Sequence, residues 1–384
     1  MARVWSGVRR VASIAINLRA ILRADASRSH SMMPADGSTD SPATPPSGAA
    51  SHHTDDGHFR NPWPGSRPKG FGAVLRWSAA RAVRRLRGES AATSVALPMA
   101  TPAVANPREE SGALRATWVG HSTTLLQLGR TNVLVDPIWS DRASPVPWAG
   151  PRRLVPPALP FEGLPPLDVV LLSHDHYDHL DAPTVKRLAA AHPGARWVAP
   201  LGVGRRITAL GVPQVVELDW WESTRAALAT VTATPAQHFS GRGPGDRDTT
   251  LWAGFAIAAD GWRVFYAGDT GYHPEFPEIG RRLGPLDLAV MPIGAYEPRW
   301  FMRPVHMNAE EAVDATVDLA SAGQAPPPML GVHWGTFRLT DEPTDEPPRR
   351  AARAWAVRGL PVDRCWILRH GETRVVPPRA GGDA

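Results

Sequence analysis

The chain contains almost no cysteine and almost no lysine. Cys365 is the single cysteine among 384 residues. An internal disulfide and a thiolate metal cluster are therefore excluded, and a metal ion would have to be held by histidine and carboxylate side chains. Lysine provides only two of the 42 basic residues, Lys69 and Lys186. Long hydrophobic runs are also missing, since none reaches the roughly 18 residues that a membrane-spanning helix requires.

Positive charge is concentrated near the N-terminus. Residues 1–88 contain 14 basic and 5 acidic residues, a net charge of +9, whereas the rest of the chain carries −4. The remainder of the protein is therefore mildly acidic. Residues 1–24 have Val, Leu and Ile near helical spacing, which predicts an amphipathic helix on a membrane surface. The alternative is that translation begins at Met32 or Met33, so that this helix is not part of the protein.

Composition divides the chain into four regions. Residues 1–57 are predicted to be a basic, mostly disordered arm, because much of this region is Ser, Pro, Gly, Asp and Thr and cannot bury enough apolar surface to offset the entropy of ordering. Residues 58–112 contain a basic amphipathic segment and a linker, with a helix expected within 71–88. We expect a globular domain at 113–376 and a disordered tail at 377–384.

The globular domain alternates apolar strand patterns with helical ones. The predicted strands are 114–119, 122–128, 131–135, 167–172, 196–199, 227–234, 250–258, 262–267, 286–291, 328–332 and 364–369. The predicted helices are 182–192, 203–210, 276–283, 308–321 and 347–358. The last but one opens with Asn308 and has Glu311 three residues later, which is typical of a capping box. Strands followed by strand–helix units in two halves predict an α/β fold with two sheets between layers of helices.

One short segment has an unusual density of titratable side chains. The sequence "LLSHDHYDHLD" occupies residues 171–181, where an apolar strand ends and a polar loop follows. His174 and His176 are two residues apart, so both can reach one point from an extended segment. Asp178 and His179 can reach a second point nearby. Imidazole and carboxylate are the ligands that zinc accepts when thiolate is absent.

Four other segments each contain a histidine or an aspartate that could bind a metal ion. "VTATPAQH" leads to His238, "PPMLGVHWGTF" contains His333, and "RPVHMNAEEAV" has His306 just before a predicted helix. "WRVFYAGDTGY" leads to Asp269, in a Gly-Asp-Thr-Gly turn that lets the backbone approach a bound ion. Taken singly, such residues are more often structural. Taken together with the polar loop, His238, Asp269 and His333 are predicted to be ligands.

This order of motifs resembles the metallo-β-lactamase superfamily. The segments "RNPWP", "TWVGHST", "DPIWSDRASP", "ELDWWE", "PIGAYEPRWFM" and "HWGTF" further resemble its N-acyl-phosphatidylethanolamine phospholipase D family. The resemblance implies an αβ/βα sandwich of two mixed sheets flanked by helices, with two zinc ions per subunit. It implies that one zinc is held by His174, His176 and His238. It implies that the other is held by Asp178, His179 and His333, with Asp269 bridging the two ions.

The resemblance also suggests roles for neighbouring residues. Asp269 and His306 are predicted to be catalytic, with His306 in contact with the substrate. Trp148 is predicted to contact the substrate where vertebrate members carry Gln-Tyr near the lipid head group, so this departure leaves the lipid open. The residues predicted to orient the ligands are His121, Asp136 and Asp175, although His121 could equally hold two strands together. We expect His52, His53 and His58 to be solvated, and His192, His273 and His370 to be structural.

The resemblance implies a phosphodiesterase of the phospholipase D type. It would cleave N-acyl-phosphatidylethanolamine or a related phospholipid to N-acylethanolamine and phosphatidic acid. A metal-dependent lactonase, an RNA nuclease and a silent membrane-binding protein are the alternatives. Nucleic acid is not expected as a partner, because nucleic-acid-binding domains usually carry a basic face. We expect a cytoplasmic protein attached peripherally to the anionic inner leaflet, and the family suggests a homodimer.

Overall fold

The computed structural model describes residues 52–87, 96–243, 245–320 and 323–378. The helix predicted for residues 1–24 and most of the basic arm lie outside the described residues, as do residues 379–384 of the predicted tail. Within the described ranges no helix is long and apolar enough to cross a bilayer.

The described part of the chain forms fourteen strands in two sheets. The strands are β1 (Leu114–Gly120), β2 (Thr123–Leu128), β3 (Thr131–Val135), β4 (Val169–Leu171), β5 (Arg196–Pro200), β6 (Val215–Leu218), β7 (Ser223–Ala226), β8 (Ala229–Thr234), β9 (Gly254–Ala259), β10 (Trp262–Tyr266), β11 (Leu288–Pro292), β12 (Met329–Val332), β13 (Cys365–Trp366) and β14 (Thr373–Val376). The first sheet has the order β14-β1-β2-β3-β4-β5-β6 and the second β13-β12-β11-β10-β9-β8-β7.

Both sheets are mixed and follow the same plan. In the first sheet β14, β1, β2 and β3 pair antiparallel, and β3 to β6 pair parallel. In the second sheet β7 to β10 pair antiparallel, and β10 to β13 pair parallel. The parallel halves need crossover connections. Helices provide them except between β3 and β4, where residues 136–168 contain only a 3-10 turn.

Seven helices accompany the sheets in the described residues. They are α1 (Phe71–Leu86), α2 (Ala182–Ala191), α3 (Gly204–Thr208), α4 (Phe276–Leu283), α5 (Arg299–Met302), α6 (Ala309–Asp318) and α7 (Glu346–Val357), with 3-10 turns at Phe161–Gly163 and Val362–Arg364. The capping box of α6 is confirmed: the Asn308 side chain accepts from the Glu311 backbone, and the Glu311 side chain accepts from the Asn308 backbone.

Alternation along the strands divides the core into layers. In β3, Val133 and Val135 belong to the cluster shared with the second sheet, whereas Leu134 belongs to the cluster that contains Val185 of α2 and Ile207 of α3. On the other side, α6 packs against β11 and against α4 and α7. Each such fully buried aliphatic side chain contributes roughly 1.5–3 kcal/mol. The predicted fold class, two mixed sheets between layers of helices, is confirmed.

Three short strands were not predicted from the sequence. β6, β7 and β14 have four residues each, and most of their side chains are exposed or half-buried. They therefore lack the apolar pattern that reveals a buried strand. Several predicted strands begin later than expected, by four residues at Gly254 and by two at Val169, Ala229 and Leu288, and the predicted helix 308–321 ends at Asp318. Helix α1 lies within the predicted range 71–88.

Parts of the predicted arm and linker lie against the domain. His52 Nε2 is 2.6 Å from Asp219 Oδ1. Farther along, the backbone N–H of Ala105 donates to Gln127 Oε1 and the Gln127 amide donates back to the Ala105 carbonyl. Composition predicted disorder for residues 52–57 and a linker up to residue 112. Contacts with distant residues hold the described parts, residues 52–57 and 96–112, against the domain, and composition cannot show such contacts.

Candidate metal centre

The predicted ligands lie in loops that follow buried strands. β4 ends at Leu171 and leads to His174, β8 leads to His238, β10 leads to Asp269, and β12 leads directly to His333. β10 and β12 run parallel in the second sheet, so their carboxyl ends meet at one edge of that sheet. The ligands are therefore brought together by strand order, although they are far apart in sequence.

Three histidines form the first group of ring nitrogens. Nε2 of His174 lies 2.9 Å from Nδ1 of His176, and Nε2 of His238 lies 3.2 Å from the same Nδ1. Ligand atoms around a tetrahedral zinc ion lie about 3.3 Å apart. The spacing in this group is therefore close to the spacing of zinc ligands.

Hydrogen bonds on the far side of two rings fix which nitrogen faces inward. Nδ1 of His238 lies 2.9 Å from the backbone carbonyl of Val305, which can only accept, so that nitrogen carries the proton. Nδ1 of His174 lies 2.9 Å from the Ser173 hydroxyl, which already donates its own hydrogen to Asp136 at 2.5 Å. Both rings therefore turn an Nε2 lone pair towards His176. A histidine that binds a metal ion through one ring nitrogen usually donates a hydrogen bond from the other in this way.

Histidines and carboxylates form the second group. Nε2 of His179 and Nε2 of His333 each lie 3.1 Å from Oδ2 of Asp269. They lie 3.6 and 3.5 Å from Oδ2 of Asp178. Nε2 of His238 in the first group is 3.9 Å from the same oxygen of Asp269. Asp269 thus lies between the two groups, as expected for a bridging ligand.

The turn that carries Asp269 requires glycine. Gly268 has a φ of +62°, and a Cβ atom there would lie 2.9 Å from the Ala253 carbonyl oxygen and 3.0 Å from Ser173 Cβ. His121, Asp136 and His333 also have positive φ values of 54, 40 and 62°. Such conformations are uncommon for residues with side chains and cluster at functional sites.

Asp136 connects the metal loop to β3 and β10. Its Oδ1 accepts from the backbone N–H of Ser173 at 2.7 Å, and its Oδ2 accepts from Nδ1 of His179 at 2.6 Å. The hydroxyl of Tyr266 also donates to Oδ2. Asp136 therefore holds both the start of the loop and the orientation of one predicted ligand, which is the position that the sequence suggested.

The pKa values of the histidines shift in opposite directions in the two groups. Burial lowers the pKa of His238 to about 3, and burial together with His179 lowers the pKa of His174 well below its ordinary value. In the second group burial opposes the charge of Asp269, but the carboxylate prevails and raises the pKa of His333 to about 9. Burial likewise opposes the charge of His179 at Asp178, whose pKa lies well below its ordinary value.

His121 and His306 lie at the edges of the cluster. His121 Nε2 is 2.9 Å from Asp178 Oδ2, so it can orient that carboxylate, and its backbone carbonyl accepts from His333 N–H at 3.0 Å. His306 Nε2 is 3.9 Å from Asp269 Oδ2, and its Nδ1 is buried without a hydrogen-bond partner among the described residues. Both predicted residues are therefore beside the ligands.

Asp175 does not have the predicted contact with a histidine. Its Oδ1 accepts from the backbone N–H of Gly241 at 2.9 Å, and its Oδ2 lies 2.9 Å from Arg206 Nε. The side chain between His174 and His176 points away from them, because neighbouring residues of an extended segment face opposite sides. Asp175 thus braces the loop after His238. Trp148 is not in the cluster either, and its side chain is 64% exposed.

Several histidines outside the cluster have structural contacts. His273 is buried and stacks on Trp63 and Phe276, and His370 lies 3.0 Å from the Thr336 hydroxyl. His52, expected to be solvated, instead stacks on Trp220 with ring centroids 4.1 Å apart. No local pattern indicates that contact, since the two residues are 168 positions apart.

Sequence reasoning missed three residues that support the ligands. Ser173 and Tyr266 bind Asp136, and Asn61 binds the main chain of His238. Ser173 precedes the first ligand and Tyr266 ends a strand, so strand-end position was an available signal for both. Asn61 lies in the segment "RNPWP", which carried the resemblance but had no assigned role.

The residues present fit a pair of divalent cations. Nε2 of His179 and Nε2 of His333 are buried and lie 3.1 Å from Asp269 Oδ2, but they make no well-aligned hydrogen bond among the described residues, and neither does the buried Oδ1 of Asp269. In the first group the Nε2 lone pairs of His174 and His238 both face Nδ1 of His176, which can carry only one proton. Buried polar atoms without partners are costly, and a cation in each group would satisfy them. The donor set of nitrogen and oxygen suits zinc.

Comparisons with known proteins agree with this geometry. The family model of the beta-lactamase superfamily domain matches residues 131–334, a range that contains all seven predicted ligands. The chain belongs to the metallo-β-lactamase superfamily. It is a metal-dependent hydrolase of that superfamily.

Similar proteins occur in bacteria, a nematode and yeast. An uncharacterized protein of Mycobacterium tuberculosis is 45% identical over 67% of this chain and 68% of its own length. The N-acyl-phosphatidylethanolamine-hydrolyzing phospholipase D 1 of Caenorhabditis elegans is 45% identical over 60% of this chain and 66% of its own length. The mitochondrial enzyme of the same name from Saccharomyces cerevisiae is 33% identical, over 67% and 55%.

Solved structures of the superfamily share the fold. Igni18, a metallo hydrolase of Ignicoccus hospitalis, has a TM-score of 0.52 and 22% identity, over 69% of this chain and 98% of its own. An isothiocyanate hydrolase from Delia radicum gut bacteria has a TM-score of 0.53 and 18% identity, over 68% and 99%. At these identities the likeness concerns the fold of the superfamily domain.

Removal of one inward-facing histidine should remove metal from the protein. We expect His238→Ala to lose about one equivalent of bound metal per chain, because the first group would keep only two nitrogens. The matched control is His273→Ala, which removes another buried histidine and should retain the metal content of the unmodified protein. Metal analysis of the purified proteins by mass spectrometry checks this. Equal metal content in His238→Ala and the control would contradict the assignment.

Proposed function

We propose that the chain is a zinc-dependent phosphodiesterase of the phospholipase D type. Its substrate would be N-acyl-phosphatidylethanolamine or a related N-acylated phospholipid, and its products an N-acylethanolamine and a phosphatidic acid. The observation that carries the proposal is the convergence of seven nitrogen- and oxygen-bearing side chains into two adjacent groups joined by Asp269. The substrate comes from the nematode and yeast relatives, whose names carry this activity.

The chemistry requires water to attack phosphorus and one phosphorus–oxygen bond to break. The water oxygen bonds to phosphorus, the bond to the ethanolamine oxygen breaks, and a proton passes to that oxygen. When bound, a pair of zinc ions lowers the pKa of water from about 16 to about 7 and places positive charge beside the phosphate oxygens. The neutral rings of His174, His176 and His238 would hold one ion. Asp178, His179 and His333 would hold the other, with Asp269 between the two.

His306 is the best placed residue to contact the substrate. Its ring centroid lies 5.0 Å from that of His238 and 5.4 Å from that of His333, beside both groups. It has no place in the ligand set implied by the family. We propose that it donates either a hydrogen bond to a phosphate oxygen or the proton that the ethanolamine oxygen receives.

Hydrolysis of the lipid tests the function directly. We expect the purified full chain to release phosphatidic acid and N-acylethanolamine from N-acyl-phosphatidylethanolamine. A chelator should abolish the reaction and added zinc should restore it. Product analysis by mass spectrometry checks this. Zinc, iron and manganese should be compared in this assay, because CmlA from Streptomyces venezuelae, which has a similar fold, is a diiron β-hydroxylase.

The control lipid is phosphatidylethanolamine without the N-acyl chain, which should be turned over more slowly. A panel of lactones serves as the second control. Metal-dependent opening of a lactone by a protein that leaves every lipid intact would contradict the phospholipase and favour the lactonase.

Replacement of His306 should impair turnover without loss of metal. We expect His306→Ala to lower kcat by about 10²- to 10⁴-fold, the usual contribution of a proton donor or acceptor, with unchanged metal content. A substrate with a nitrophenolate leaving group needs no proton, so a smaller loss on that substrate identifies His306 as the proton donor. An equal loss on both substrates identifies a phosphate contact. Unchanged activity on both would exclude His306 from the site.

We also propose that helix α1 attaches the protein to an anionic lipid surface. α1 is fixed to the domain through Asp341, whose carboxylate accepts from Trp77 Nε1 at 2.7 Å and pairs with Arg81 Nε at 2.9 Å. The Arg76 guanidinium lies 4.7 Å from the ring centre of Trp300. Exposed apolar side chains accompany these arginines at Leu75, Val83, Leu86 and Trp300. Apolar side chains among arginines are typical of helices that lie on anionic membranes.

Vesicle binding tests this surface. We expect the protein to bind vesicles that contain phosphatidylglycerol more tightly than vesicles of phosphatidylcholine, and the difference to shrink at high salt. Leu86, 88% exposed, should enter the lipid, and Leu86→Asp should weaken binding about tenfold. Val357→Asp on α7 is the matched control, since Val357 is 78% exposed elsewhere. Equal binding of both variants in a sedimentation assay would contradict the proposal.

A further inference from the structure

The segment before α1 makes a set of contacts that the metal site and the proposed reaction do not explain. Residues 52–66, called the strap below, cross from Asp219 to the loop that carries His238. His52 and His53 lie 2.6 and 2.7 Å from the two carboxylate oxygens of Asp219. The backbone N–H of Phe59 donates to the Asp248 carbonyl at 2.8 Å. The strap is therefore attached at its start.

The far end of the strap reaches a predicted metal ligand through Asn61. The amide nitrogen of Asn61 donates to the backbone carbonyl of His238 at 2.8 Å, and the amide oxygen accepts from the His238 backbone N–H at 3.1 Å. This pair of bonds imitates the pairing of two strands. His238 is buried, so both of its main-chain groups need a partner inside the protein.

Every hydrogen-bonding position of the Asn61 amide is used. Besides the two bonds to His238, the amide nitrogen donates to the Ser66 carbonyl at 3.0 Å, and the oxygen accepts from Trp252 Nε1 at 3.1 Å. An aspartate would place an oxygen against two carbonyl oxygens, and an alanine would leave both His238 groups unpaired. The site thus selects asparagine by its two donors and two acceptors.

The main chain and the ring of His238 are fixed from different directions. The Val305 carbonyl holds Nδ1 of the ring at 2.9 Å, and Asn61 holds the backbone. Together they determine where Nε2 lies relative to Nδ1 of His176, 3.2 Å away. Partners that orient a ligand in this way commonly affect metal affinity by about 10- to 100-fold when removed.

We propose that Asn61 is a positioning residue of the metal centre, acting through His238 on the ion held with His174 and His176. The inference rests on the proposed two-ion site. The strap is then part of the enzyme's working structure, because it completes the support of one ligand from outside the superfamily domain matched at residues 131–334. The second group, with His179 and His333, receives no contact from Asn61.

Competition with a chelator in the full-length protein tests the inference without any lipid. Metal should leave the unmodified protein in two steps, and the step missing from His238→Ala identifies the first group. In Asn61→Ala that same step should occur at about 10- to 100-fold lower chelator concentration. The chelator concentration at which the other metal is released should not change. Asn61→Ser, which places no charge against the two carbonyl oxygens, gives the same reading if Asn61→Ala does not fold.

The matched control is Asn132→Ala. Asn132 is also a buried asparagine that donates to two backbone carbonyls, those of Pro107 and Pro166, but it lies at the opposite end of β3 from Asp136. Its removal should leave both steps unchanged. The inference is overturned if the Asn61 variants release both metals at lower chelator concentration, or neither. If the unmodified protein binds metal but cleaves no lipid, only the proposed function is contradicted. If it binds no metal, the proposed function and the positioning role of Asn61 are both contradicted.

Discussion

The fold brings several buried histidine nitrogens and carboxylate oxygens to within about 4 Å of one another. The arrangement of the surrounding strands and loops depends on this cluster. Burial keeps His174 and His238 neutral, so their inward nitrogens offer lone pairs with only the Nδ1 proton of His176 between them. In a low-dielectric interior unpaired polar atoms are expensive. A divalent cation would satisfy them, so metal binding would stabilise this region as well as supply chemistry.

The two-sheet architecture makes this convergence feasible with few local requirements. Each ligand segment follows a strand whose carboxyl-terminal residues are buried, so the strand fixes the direction in which the loop leaves the sheet. β4 is only three residues long, yet it is buried on both sides and bound to β3 and β5. Asp136, at the end of β3, then ties the loop of β4 to His179 and to Tyr266 of β10. One carboxylate therefore couples the first sheet to the second at the point where the ligands meet.

Local patterns were enough to predict the alternation of strands and helices and to place the ligand-type residues at strand ends. The sequence could not distinguish the roles of Asp136 and Asp175. Asp175 is closer to the ligands in sequence, but the pleat of the chain directs it to Gly241 and Arg206. Short, half-exposed strands such as β14 carry no periodic signal, and the contact of Asn61 with His238 spans 177 positions. Such long-range contacts follow from the fold, which a single local pattern does not encode.

The contacts that support the predicted ligands are separate from the bonds that shape the loop around Trp148. The acceptors that fix the histidines are backbone carbonyls, a hydroxyl and a buried carboxylate, and they lie on the strands and the loops beside them. The exposed loop that carries Trp148 is shaped by other bonds: Arg142 donates to the Gly150 carbonyl at 2.6 Å, and the Ala143 N–H donates to Pro151. Because these bonds share no atom with the ligand network, Pro147-Trp148-Ala149 can replace other residues without moving a ligand.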